Sequence, residues 1–485
     1  MGSIAALGLF VTIGPIAAIG VAVFVLLFIL AMEQPRMAFY AAIAIHLVIP
    51  VYVATPAVGF IPNLPISMWP LGGILTICLL ANLLKPEPAK MGGYGRVLMA
   101  MLYLFVIISF VSLIDEMSSH QSFELWVRDL AIPLSICWMS IRLLHTEDDI
   151  QKLFYVLMFA GVCDTFYAVS EFLMGRNILI ERLIMSTDSL MRDDMSKWYH
   201  SAEDLSNLGS LIYRSTSVFT NAIEFGSFMT MVFPFPLVTA VLTTGKRRWF
   251  YGFIAAVCLL GVLLSFSRGP ILTSILQIFG LALLLRPLRR VVIGAVLAMV
   301  LTITLAWPMI GDSITTRFKE KDNVTMRLKF WEIGLHLFAD NPVLGVGFGN
   351  YPSYNIQAER DYRVGPFLEF EGNIDHIATV ENIFIQLAAE TGFLGFGSFM
   401  SALVVFFALN IRLYQRSLQN SDALLQALVL GSGFGAFGYL ISGLTYTCYN
   451  FFVVTPTLFL LFSIVIVLER SLKSTDLTSR LPRCA

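Results

Sequence analysis

Apolar residues run along this chain in blocks of about 20, the length that crosses roughly 30 Å of hydrocarbon as a helix. Short charged interruptions separate one block from the next. The blocks fall at 8–31, 37–58, 65–84, 97–114, 125–143 and 152–174, then at 218–242, 250–266, 270–285 and 291–307, and finally at 381–409, 423–441 and 451–468. They are apolar on every face rather than along one stripe, which predicts helices buried in lipid or in one another. Two longer polar intervals, 175–217 and 308–380, break the series. The expected fold class is an all-α polytopic membrane protein, a bundle of about 12–14 transmembrane helices with one large loop subdomain. Pro15, Pro62, Pro133 and Pro270 interrupt or border runs that read either as spanning or as re-entrant.

This divides the chain into N-terminal transmembrane helices (1–174), a first amphipathic loop (175–217), central helices (218–307), the large loop (308–380), C-terminal helices (381–469) and a tail (470–485). Composition sharpens the membrane reading: of 485 residues 57% are hydrophobic and 13% charged, with a mean hydropathy of +0.77. A net charge of −1 gives no global field toward nucleic acid, so no nucleic-acid partner is expected. Cys78, Cys137, Cys163, Cys258, Cys448 and Cys484 show no C-x-x-C pair or metal-ligand spacing and read as small apolar fillers. No Lys or Arg precedes the first apolar run and no small-residue cleavage site follows it, which reads against a cleavable signal peptide.

Basic residues set the expected orientation. Lys246, Arg247 and Arg248, then Arg286, Arg289 and Arg290, then Arg412 and Arg416, and finally Arg470, Lys473, Arg480 and Arg483 flank spans and should be cytoplasmic. Both polar intervals then lie on the outer side. The first holds "SLMRDDMSKWYHSAEDL", an amphipathic stretch suited to the membrane surface. The second carries "TMRLKFWEIGLHLFADNP", a helix with Arg327, Trp331, Gly334 and Phe338 on one stripe, ended after Asp340 by Pro342. Arg327 there reads either as an interfacial arginine that snorkels or as a ligand for a lipid phosphate.

Glycines at 345, 347 and 349 in "NPVLGVGFGNY" follow a helix with G-x-G-x-G spacing, which suits a tight turn and not a dinucleotide loop. Beyond them "ATVENIFIQLAAETGFLGF" opens the helix expected at 381–409, with Glu381 at its mouth. An acid there is favourable in a first turn against the macrodipole. Asn382, Gln386 and Glu390 form a polar stripe that should face the bundle or a cavity, and Gly392 and Gly395 should permit close helix packing. Arg268, in "SFSRGP", is an intramembrane arginine that serves either function or a structural ion pair.

Together, "YRSTSVFTNAIEFG", "SFSRGP", the Arg327 helix, "NPVLGVGFGNY" and "ENIFIQLAAETGFLGF" stand in an order that resembles the O-antigen ligase and polymerase superfamily of bacterial glycan assembly. The likeness spans roughly 213–468. It implies a GT-C-like glycosyltransferase of the bacterial inner membrane that transfers glycan from an undecaprenyl diphosphate carrier on the periplasmic face, with neither metal nor cofactor. Further implied partners are membrane lipids, a chain-length regulator and a flippase. By position, Arg214 and Arg327 match the family's essential arginines, and Arg268 is a weaker third diphosphate ligand. Arginine suits that role because its fork binds phosphate oxygens bidentately and stays charged. Where ligases carry an important His, this chain has Glu381; Glu381 and His376 are therefore the two candidates for the base, and Trp331, Tyr351 and Asn382 for substrate contacts, with Tyr354 a further aromatic able to stack on a sugar. The expected function is a polysaccharide polymerase for exopolysaccharide or O antigen. The alternatives are a ligase delivering glycan to lipid A core or protein and, from a different class, a lipid-linked glycan transporter.

Overall fold

The computed structural model describes residues 15–50, 54–55, 64–84, 91–114, 120–181, 214–290, 293, 322–352, 354, 380–447 and 452–480. The chain is an all-α polytopic membrane protein. Its helices are α1 (Pro15–Glu33), α2 (Pro35–Val48), α3 (Trp69–Leu84), α4 (Gly93–Val111), α5 (His120–Trp126), α6 (Ile132–Leu143), α7 (Glu147–Met174), α8 (Ala222–Val232), α9 (Pro234–Leu242), α10 (Gly245–Leu264), α11 (Arg268–Leu284), α12 (Asp322–Asp340), α13 (Ile383–Gln419), α14 (Ala423–Gly443) and α15 (Val454–Arg480). The extended pairing among the described residues is one antiparallel contact of Ala54–Thr55 with Leu64–Pro65.

Among the described residues seven segments are long and apolar enough to cross a membrane: α4, α7, α8 with α9, α10, α13, α14 and the first part of α15. Three apolar helices are shorter, Pro35–Val48, Trp69–Ala81 and Arg268–Leu284. Proline explains part of the difference from the expected spans. Pro234 starts α9 immediately after α8, and the run expected at 125–143 is divided by a π-helical stretch, Val127–Ala131, ahead of Pro133. The span expected at 291–307 lies outside the described residues apart from Ile293.

Burial separates the centre of the bundle from its rim. Of the spanning windows, 89% of α15 and 83% of α8 with α9 is buried inside the protein, against 39% for α4 and for α10. The rim helices turn large apolar side chains outward, among them Ile107, Phe253 and Leu263, as helices facing lipid do.

The helices join two opposite ends. At one end Arg36 pairs with Asp149 at 3.6 Å, Arg470 donates to the carbonyls of Ile141 and Leu144, Glu469 accepts from Gly95 N at 2.8 Å and Arg412 stacks on Tyr94 at 5.1 Å. Thr146 and Asp149 form a capping box that starts α7 there. At the other end lie the N-termini of α8, α11, α13 and α15 and the C-termini of α4, α7, α10 and α14. The loop helix α12 packs over that end.

Candidate functional site

The loop end is built around a break in α13. Gly392 has φ 63° and ψ −169°, inside an otherwise continuous helix. The break exposes backbone groups that a helix would consume, and the glycine turn takes them up. Val346 N donates to Ala389 O at 2.9 Å and Gly347 N to Glu390 O at 3.0 Å, while Phe393 N donates to Pro342 O at 2.7 Å and Leu394 N to Val343 O at 3.3 Å. The approach leaves no room for side chains. A Cβ on Gly345, φ 73°, would sit 2.3 Å from the Glu390 carbonyl carbon, and one on Gly392 would sit 2.3 Å from Val343 O. The tight turn expected of "NPVLGVGFGNY" is present. Gly392, expected as a packing glycine, is a backbone hinge.

Glu390 completes the anchor. Its carboxylate accepts from Gly349 N at 3.0 Å and Gln386 Nε2 at 2.9 Å, and Gln386 Oε1 accepts from Thr447 Oγ1 at 2.8 Å. The polar stripe of α13 therefore binds the loop to the bundle. Asn350 extends the attachment to Ser122, and Phe348 N donates to Ser112 Oγ at 3.3 Å.

With the turn fixed, α12 lies against the start of α13. Ile333 and Leu337 are buried with Val346, Tyr351, Val380 and Ala389. Gly334 lets the helix come close: a Cβ there would meet Ile385 Cγ2 at 2.7 Å. Two turns earlier on the same helix, Arg327 Nε meets Glu381 Oε2 at 2.5 Å. Glu381 is not in the first turn of α13. It precedes Asn382, the N-cap, whose Oδ1 accepts from Phe384 N and Ile385 N. Its φ of 52° places a non-glycine residue in the left-handed region, a conformation that persists only where surroundings enforce it. Burial raises the Glu381 pKa above the ordinary carboxylate value, and the charge and hydrogen bond of Arg327 pull it partly back.

A second pair of cations stands nearby. Arg214 donates through Nη2 to Ser267 Oγ at 2.9 Å and through Nε to Ser265 O at 3.4 Å, which brings it beside Arg268. Burial and the neighbouring Arg268 charge lower the Arg214 pKa. Glu171, 1% exposed at the end of α7, clamps the segment from behind: its carboxylate accepts from Thr216 N, Thr216 Oγ1 and Ser217 N at 2.8–3.2 Å. Gly226 of α8 fits against Ser265 and Pro270, so the "SFSRGP" turn is held on both sides.

The C-terminal turn of α14 joins the two pairs. Leu444 O accepts from Asn382 Nδ2 at 3.4 Å, next to Glu381. A Cβ on Gly269, next to Arg268, would lie 2.5 Å from Thr445 Oγ1. Arg214, Arg268, Arg327 and Glu381 therefore border one end of the bundle. Among the described residues no group of three or more His, Cys, Asp or Glu side chains is arranged to hold a metal ion.

The other expected site residues have distinct placements. Trp331 is one turn from Arg327, and its buried Nε1 has no hydrogen-bond partner among the described residues. Tyr351 is 0% exposed and its hydroxyl donates to Phe330 O at 3.3 Å, so its ring has no free face in this arrangement. Asn382 caps α13, and Tyr354 packs at the edge of the α12 cluster. His376 lies outside the described residues. Glu171, Ser267 and Thr447 were not singled out from the sequence. Glu171 has the clearest signal, an acid near the end of an apolar span.

No curated protein matches this chain. Residues 253–400 match the family model described as O-Antigen ligase, a range that runs from α10 through the kink of α13, includes Arg268, Arg327 and Glu381, and supports membership of the O-antigen ligase/polymerase superfamily.

Proposed function

We propose that the protein is a glycan polymerase of the bacterial inner membrane that joins lipid-linked repeat units of an exopolysaccharide or O antigen. The observation that carries this reading is the Arg327–Glu381 ion pair beside the Arg214–Arg268 pair. The donor is a glycan on undecaprenyl diphosphate, and the acceptor is a sugar hydroxyl of a second lipid-linked unit. The acceptor oxygen bonds to the anomeric carbon, the bond from that carbon to the diphosphate breaks, and the hydroxyl proton passes to the Glu381 carboxylate. Arginines stabilise the departing diphosphate, whose charge grows in the transition state. Basic residues gather at the end opposite this site, which supports a cytoplasmic position for that end and a periplasmic one for the site.

Glu381 in place of the ligase histidine supports polymerisation. The matched family model's description supports a second reading, ligation of finished glycan to lipid A core or protein. Loss of a polymerase leaves single-repeat products, whereas loss of a ligase leaves long carrier-linked chains. Undiminished polymer length in a deletion strain would overturn the polymerase reading. Purified protein in detergent with lipid-linked repeats should form longer products; a transporter would form none, because no second leaflet is present.

A further inference from the structure

At the end opposite the arginine site, α7, α9, α10 and α14 enclose a cavity of about 710 Å3. Leu242, Phe250 and Leu424 form apolar walls, Lys246 and Arg247 stand at its edge, and Tyr155 and Tyr251 line one side. The two tyrosine hydroxyls are 3.1 Å apart. One O–H proton makes that bridge, so the other remains for donation. Thr239 and Thr243 direct theirs to Phe235 O and Thr239 O on their own helix.

The charge here runs against helix electrostatics. Lys246, Arg247 and Arg248 occupy the first turn of α10, which contains no acid, and Thr244 at the N-cap makes no side-chain capping bond. Cations gathered at the positive end of a helix dipole, above uncapped N–H groups, form an unfavourable concentration of like charge that an anion would relieve. Among the described residues no carboxylate forms an ion pair with any of the three. Acids at this end serve other helix starts: Glu147 and Asp148 lie in the first turn of α7, and Asp422 caps α14. Beside these cations Trp249 is 81% exposed, as an aromatic at the headgroup level of a bilayer is, and Phe250 and Phe253, 59% and 60% exposed, follow it along the helix.

We propose that this cavity binds an anionic phospholipid. Its phosphate sits against Lys246, Arg247 and the first N–H groups of α10, the free tyrosine proton faces a phosphate or ester oxygen, and an acyl chain lies along Leu242, Phe250 and Leu424. The site is separate from the arginines of the loop end and does not depend on the reaction proposed there.

The test is native mass spectrometry of the full chain in detergent, titrated with phosphatidylglycerol, phosphatidylethanolamine or inorganic phosphate. Phosphatidylglycerol should bind, and K246Q/R247Q should weaken it about thirtyfold, since each basic residue near a charged lipid surface contributes roughly a fivefold factor. Both positions are solvent-exposed, so the variant keeps its fold. Leu424→Trp fills the apolar wall and should expel the lipid without changing any charge. Arg290→Ala, exposed at the same end but outside the lining, should bind as the unaltered protein does. Equal affinity for phosphatidylethanolamine, or undiminished binding in K246Q/R247Q, would overturn the proposal. An inorganic phosphate signal as strong as that of the lipid would reject a lipid occupant.

Discussion

Arg327 Nε lies 2.5 Å from Glu381 Oε2, linking the loop helix α12 to the residue that precedes the cap of α13. The pair is partly open, with side chains 40% and 28% exposed, so it is accessible to substrate and its contribution to stability is small. Its geometry is set elsewhere: by the Gly334 contact with Ile385, by the left-handed φ of Glu381, and by the turn pinned to the α13 break. A costly backbone conformation held by rigid neighbours is the form expected of a positioned functional group.

Substitution of the pair separates charge from structure. Arg327→Ala should reduce transfer about 10²- to 10³-fold, the range for removing one preorganised charge-stabilising donor, with little change in melting temperature. Glu381→Gln should be comparably inactive. Glu381→Asn removes the charge with a residue that tolerates left-handed backbone, so it should be at least as stable as Gln and equally inactive. Glu381→His should recover measurable activity if proton acceptance is the role. A Gln variant as active as the His variant would sink the base assignment. The readouts are product length on gels and melting temperature in detergent.

The glycines make a stability prediction with an internal control. Gly392→Ala and Gly345→Ala each combine a left-handed backbone with a methyl group 2.3 Å from main-chain atoms. The backbone conformation alone costs about 1–3 kcal/mol. Gly397, in the same helix as Gly392, has nothing within 4 Å of a built Cβ, so Gly397→Ala should stabilise by up to about 1 kcal/mol. Thermal melts should move in opposite directions for the two α13 substitutions.

What could be read from the sequence follows the range of the forces involved. Blocks of apolar residues disclose spans because lipid selects composition over about 20 consecutive positions. The α12 helix and its end at Asp340 were legible from local periodicity and Pro342. Arg214, Arg268 and Arg327 could be named from motif order. Their arrangement could not, because the bonds that create it join residues distant in the chain: Arg214 to Ser267, Glu171 to Thr216, Glu390 to Gly349. The Gly392 break was hidden for the same reason. A glycine in an apolar helix reads as a packing position until another segment is seen to occupy the groups it frees.

The two arginines of the second pair should differ in kind. Arg214 is half-buried and directed by two acceptors on the "SFSRGP" turn, whereas Arg268 is exposed. Arg214→Lys keeps the charge but loses the fork that reaches both acceptors, and should lower transfer about as far as Arg214→Ala. Arg268→Lys should retain most activity. Ser267→Ala removes one of Arg214's acceptors and should reduce turnover about tenfold or less, the equivalent of one ordinary hydrogen bond. Single-turnover transfer rates across these four variants provide the check.

Glu381 predicts opposite pH responses for activity and stability. Desolvation raises its folded-state pKa despite the Arg327 contact. As a base it acts ionised, so turnover should rise with pH through a midpoint above the ordinary carboxylate range. Stability has the other sign. A carboxyl whose pKa is higher folded than unfolded binds more protons in the native state between the two values. Its contribution is therefore complete below the unfolded pKa and is lost as pH rises through the folded one. Arg327→Ala removes the influences that lower this pKa, so both midpoints should move further up, and residual activity should need a more alkaline medium. Glu381→Gln should flatten this part of the stability profile. Melting temperature and transfer rate from pH 4 to 8 would test both signs; an activity limb that falls with pH over this interval would remove Glu381 as the base.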